Sequence, residues 1–90
     1  MSFDKWRIVA DSQAARDLKM LHARHMPILP SILRIIDALA EHPYSGKPLK
    51  GNKTGCFSIR CGDFRIIYEL HSQQRAVHLI RIGDRKEIYR

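Results

Sequence analysis

The chain has little with which to staple or anchor itself. Its two cysteines, Cys56 and Cys61, are too few for a disulfide framework, and their spacing matches no standard zinc pattern, so both read as reduced structural thiols. The longest apolar run is only a few residues, against the roughly 18 that a membrane helix requires. The opening stretch MSFDKWRIVA carries no signal-peptide hydrophobic region. A cytoplasmic protein with no membrane partner is therefore expected. Glycine-rich phosphate loops, paired catalytic carboxylates and HExxH motifs are also missing, which removes support for a nucleotide-hydrolysing or metal-dependent enzyme. Among the five histidines, His22 and His25 lie three apart near a helix end, but surface histidines are commoner than ligands. No metal and no cofactor are expected.

Acid is scarce too. Sixteen Lys and Arg stand against nine Asp and Glu, a formal net charge of +7. Such a surface attracts polyanions through its long-range field and through release of their condensed counterions, so nucleic acid or an acidic protein becomes the expected partner. Residues 1–50 carry eight basic against five acidic side chains and residues 51–90 eight against four, so no basic tail accounts for the excess. The plainer alternative is a surface that happens to be basic. A length of 90 residues suits one domain, spanning residues 1–90, with no room for a second core.

The pattern of elements is legible. WRIVA, followed by Asp11 and Ser12, predicts a strand over 6–10 running into a helix N-cap. Ala14, Leu18 and Leu21 recur at helical spacing to about residue 24, and Pro27 and Pro30 mark a boundary. Ile32, Ile35, Ile36 and Leu39 then form a broader stripe ending at 42–43. Residues 43–55 read as a basic loop. Alternation predicts strands over 56–60 and 64–70 joined by a Gly62-Asp63 turn, a further strand over 76–82, and a last strand end at 87–89. The sum is an α+β fold: an N-terminal strand, a two-helix hairpin, then an antiparallel β-meander forming a small sheet covered on one face by the helices. The other face should stay partly open and carry Ser58 and Arg60 beside Arg65, Ile67 and Glu69.

Arg60, Arg65, Arg81 and Arg85 fall on strands or strand ends, where like charges repel unless an anion meets them. Taken singly, each is an ordinary solvent-facing arginine that discourages edge pairing. Taken together they suit phosphate, because guanidinium binds phosphate oxygens bidentately and stays charged at physiological pH. A cluster of them would also stabilise charge building on a phosphate under attack by the RNA strand's own 2′-hydroxyl, without a metal. Tyr89 either stacks on a base or seals the sheet edge.

HPYSGKPLKGNKTGCFSIRCGDFRIIYEL, followed by HLIRIGDRKEIYR, resembles the RelE/ParE toxin superfamily, specifically its RelE-like branch. The resemblance rests on GKPLKG, IRCGDFRIIYE and RIGDRKEIYR in that order and covers about half the chain strongly. It implies the toxin of a type II toxin-antitoxin pair, a ribosome-dependent endoribonuclease that cuts mRNA in the decoding site. A cognate antitoxin would silence it in a hetero-oligomeric complex. Carried over by position, it implies that Arg60 contacts the scissile region and Arg65 stabilises the transition-state phosphate. Arg85 would act as general acid or charge stabiliser, and Tyr89 would orient the substrate. Lys50, Lys53 and Arg81 become RNA or ribosome contacts. Ser58 and Arg60 replace lysines of well-studied members, and arginine is a poor proton acceptor. Any base must then be Lys53, a histidine or the ribosome. The competing expectations are a ParE-like gyrase inhibitor and an inactive RNA-binding or antitoxin-docking module.

Overall fold

The computed structural model describes residues 5–51 and 55–88. The N-terminal strand β1 (Arg7–Ala10) leads into α1 (Ser12–Arg24), a single 3₁₀ turn (Met26–Ile28) and α2 (Leu29–Glu41). Strands β2 (Lys47–Pro48), β3 (Cys56–Cys61), β4 (Phe64–His71) and β5 (Ala76–Asp84) follow, and α3 (Arg85–Ile88) is one helical turn. The sheet has five strands in the order β1-β5-β4-β3-β2.

Both long helices form where the apolar spacing places them. Ala14 and Leu21 of α1 and Ile32, Ile36 and Leu39 of α2 are buried, with Leu18 and Ile35 packed at the margin. They cover one sheet face, meeting Ile66 and Tyr68 of β4 and Val77, Leu79 and Ile82 of β5. Pro30 sits in the first turn of α2, where its missing N–H is no loss. The two-residue hairpin between β3 and β4 closes on the Cys61–Phe64 pair, with Gly62 at φ 60, a backbone conformation that glycine adopts without steric cost. Cys56 and Cys61 are both free thiols.

The α+β architecture matches the expectation, with four local departures. The sheet is mixed, because β1 lies parallel to β5, pairing Arg7 with Ala76 through Ala10 with Leu79. The loop expected over 43–55 contains β2, whose two residues pair with Ser58 and Phe57. The strand end expected at 87–89 is replaced by α3: Asp84 Oδ1 accepts the Lys86 N–H at 2.8 Å, and the Arg85 N–H donates to the Asp63 carbonyl at 3.0 Å, which turns the chain out of the ladder. Finally, the face away from the helices is closed at its centre. Ser58 and Ile67 are 6% and 1% exposed; α3 folds back onto β4 and β5, and Ile88 packs over Gly83.

Asp11 precedes α1 as expected of a cap, but its side chain makes no capping bond and lies 3.6 Å from His78 Nδ1. A second aspartate ties helix to sheet. Beyond the last residue of β1, β5 has a free edge, and Asp17 of α1 fills it. One carboxylate oxygen accepts the Ile82 N–H at 2.8 Å and the Arg81 Nε–H at 3.1 Å. Asp17→Ala should leave the Ile82 N–H unpaired and reduce stability by about 1–3 kcal/mol, measured by denaturant unfolding.

Tyr68 is fully buried, and burial pushes its hydroxyl above the ordinary 10.0, offset only in part by hydrogen bonds from Gly46 and Ser45. A raised folded value means that the native state holds its proton longer than the unfolded chain. The stability this brings is complete below pH 10 and is lost as pH rises through the folded value. The unfolding midpoint should therefore fall more steeply above about pH 10 in the parent than in Tyr68→Phe, as a pH series of thermal melts would record.

Candidate active site

Four cations meet on the face away from the long helices. Arg65 stands on β4 opposite Gly83 of β5, and two residues beyond Gly83 the chain turns into α3, presenting Arg85 and Lys86. Lys47 enters from β2, at the far edge of the sheet, through its pairing with Ser58. These side chains, with Pro48, Leu49 and Ser58, line one open groove of about 810 Å³. Among the described residues, no carboxylate belongs to its lining. Among the described residues, no ion pair engages any of the four cations. The Arg65 Nε is buried and, among the described residues, has no hydrogen-bond partner. An unsatisfied charged donor is costly, and an anion in the groove is the natural group to offset that cost.

The other arginines are placed differently. Arg60 is the direct cross-strand partner of Arg65, but its Nε–H donates to the Gly62 carbonyl at 2.8 Å, and it does not line the groove. Two cations directly opposed on a ladder repel, and turning back over the hairpin relieves this. Arg81 is held by Asp17 of α1 at the free edge of β5. Lys50 is exposed and outside the lining. Lys53 and Tyr89 lie outside the described residues.

Sequence reasoning did not single out Lys47 and Lys86 as site residues. Both sit inside the segments that carry the resemblance, GKPLKG and RIGDRKEIYR, but nothing local says which lysine of a loop faces Ser58. The histidines are elsewhere: none lines the groove. His71 and His78 stack with ring centroids 3.8 Å apart, and His71 Nε2 lies 2.6 Å from Glu69. His71 lies six positions along β4 from Arg65, roughly 20 Å at strand rise.

Two helices over a mixed sheet, with a groove on its other face whose charged lining among the described residues is all cationic, define a small α+β module. The family described as "ParE toxin of type II toxin-antitoxin system, parDE" matches residues 8–89. Toxin RelG of Mycobacterium tuberculosis is 34% identical over 79 residues, 86% of this chain and 87% of that protein. Toxin RelE of the same organism is 29% identical over 86 residues, covering 94% of this chain and 87% of that one. The RelBE2 toxin–antitoxin complex from M. tuberculosis superposes with a TM-score of 0.77 at 29% identity, over 90% of this chain and 99% of the matched chain. The YoeB/ParE toxin from Agrobacterium tumefaciens reaches 0.78 at 19%, over 87% and 96%, a likeness of fold. The chain belongs to the RelE/ParE toxin superfamily and is a toxin of the type II toxin-antitoxin class.

Among the described residues, no helix is long and apolar enough to cross a membrane. Inorganic phosphate should raise the melting temperature of the parent, by about 2.7 kcal/mol of stabilisation at a hundredfold excess over Kd. Arg65→Ala and Arg85→Ala should lose most of that shift. Arg81→Ala should keep it, because its partner is Asp17.

Proposed function

We propose that this toxin is an mRNA endoribonuclease of the RelE-like branch, acting on message held in the ribosome, with residues 1–90 as a single catalytic domain. The observation that carries the reading is the convergence of Arg65 from β4 and Arg85 from α3 in one groove with Lys47 and Lys86. RNA brings its own nucleophile. The 2′-oxygen forms a bond to the adjacent phosphorus and loses its proton, while the bond from phosphorus to the 5′-oxygen breaks and that oxygen gains one. Negative charge grows on the non-bridging oxygens, and prepositioned guanidinium groups stabilise it without a metal ion.

Within that reading, Arg65 binds and stabilises the phosphate under attack, and Arg85 acts on the same charge or on the departing oxygen. Tyr89 stacks on a neighbouring base. Arg60 and Lys50, exposed outside the groove, and Lys53 contact the flanking RNA or the ribosome, as does Arg81 where its Asp17 pairing leaves it accessible. With no imidazole on the lining, the proton acceptor is an amine or a ribosomal group. The ribosome aligns the strand, and proximity and orientation can supply several kcal/mol of the barrier, so isolated RNA is a poor substrate. The partner that silences the toxin is a cognate antitoxin whose acidic, partly disordered segment orders over the cationic face in a hetero-oligomer. RelBE2, the M. tuberculosis relative, is itself a toxin–antitoxin complex.

The ParE description of the matching family favours a second reading, inhibition of DNA gyrase by protein binding. The groove argues for the first, since a gyrase inhibitor has no need of Arg65 and Arg85 converging on one groove. Mapping mRNA 5′ ends after induction decides between them: new ends within coding regions, absent when the antitoxin is co-expressed, are expected. No new ends, together with inhibition of purified gyrase in a supercoiling assay, would overturn the nuclease reading. Arg65→Ala and Arg85→Ala should each slow cleavage by roughly 100- to 1,000-fold and abolish growth arrest while remaining folded.

A further inference from the structure

The wall of the groove that carries Lys47 is thinly held. Strand β2 is two residues long, one of them Pro48, which has no N–H to donate. One further backbone bond, from the Leu49 N–H to the Cys56 carbonyl at 2.9 Å, continues the pairing. What fixes the other end comes from the core. The Tyr68 hydroxyl donates to the Pro43 carbonyl at 3.0 Å and accepts the Gly46 N–H at 2.9 Å, clamping the backbone immediately before Lys47. Its ring is stacked on Phe57 at 5.5 Å, and Phe57 is the ladder partner of Pro48. The approach is so close that a Cβ at Gly46 would stand 2.5 Å from the hydroxyl and 2.9 Å from the Ser58 carbonyl. Only glycine fits there, which supplies a physical reason for the first residue of GKPLKG.

We propose that Tyr68 is a positioning residue for the anion groove, a latch whose hydroxyl sets the Gly46 backbone and through it aims Lys47 at bound phosphate. The inference rests on the reading that the groove binds an RNA backbone. A phenol stays protonated at physiological pH, and burial only strengthens this, so the hydroxyl serves as donor and acceptor together. Tyr68→Phe removes the hydroxyl's hydrogen bonds and keeps the ring on Phe57.

The test is a double-mutant cycle on the full chain, with a short single-stranded DNA as probe, which has no 2′-hydroxyl and is not cut. Tyr68→Phe should weaken binding about three- to tenfold in the parent and have almost no effect in a Lys47→Ala background, since coupled residues are non-additive. Lys47→Ala should lower the slope of log affinity against log salt by about 0.7, the share of one phosphate contact on a single strand. Amide exchange gives a second measurement. The Gly46 N–H should be protected in the parent and exchange at least about tenfold faster in Tyr68→Phe, with Ile66 unchanged, as expected of a local opening. Equal weakening in both backgrounds, or an unprotected Gly46 in the parent, would overturn the latch while leaving the groove standing. Parent-like binding by both Arg65→Ala and Lys47→Ala would instead overturn the groove reading, and the latch's role with it.

Discussion

The structure depends on the register of β4. This strand lies between β3 and β5 and sends Phe64, Ile66, Tyr68 and Leu70 toward the helices and Arg65, Ile67 and Glu69 the other way. A slip of one residue would drive Arg65 into the core and bring Tyr68 out of it, because side chains alternate with a period of two. Burial of the apolar set therefore holds the cationic set in place. The same strand supplies an arginine to the groove and, from its opposite face, the tyrosine hydroxyl that fixes the segment before the groove's far wall. Core and site are two faces of one element.

Against that constraint the charges fall into two groups. Arg81 is drawn to Asp17, whose carboxylate also completes the edge of β5; its charge serves cohesion. Among the described residues, Arg65, Arg85, Lys47 and Lys86 have no such acid beside them on the groove. Like charges held together on a scaffold cost stability, and the cost is tolerated where a ligand of opposite sign is to be received.

Membership of the superfamily explains the architecture without choosing the target. RelBE2 and the YoeB/ParE toxin share this fold, so the choice falls on side chains, and the nuclease proposed above rests on the cationic groove. Ser58 illustrates the point. Where the resemblance implies a lysine, the chain has a small residue that is almost fully buried in the groove floor, and amines approach instead from Lys47 and Lys86 on the walls.

Much of this was open to sequence reading because it is local. Apolar spacing at 14, 18 and 21 and at 32, 35, 36 and 39 defines two helices, and alternation from 56 to 70 defines a hairpin. Arg65 and Arg85 lie within the motifs that carry the resemblance, and the structure brings both to one groove. Other features depend on residues far apart in the chain. These are the parallel seating of β1 on β5, the capture of Arg81 by Asp17, the choice of Lys47 over Lys50, and the turn of α3 that covers Gly83 with Ile88. Periodicity reports which face a side chain takes on its own element. Which charges are neutralised and which remain free is decided only when distant elements pack together and each cation either meets a carboxylate or does not.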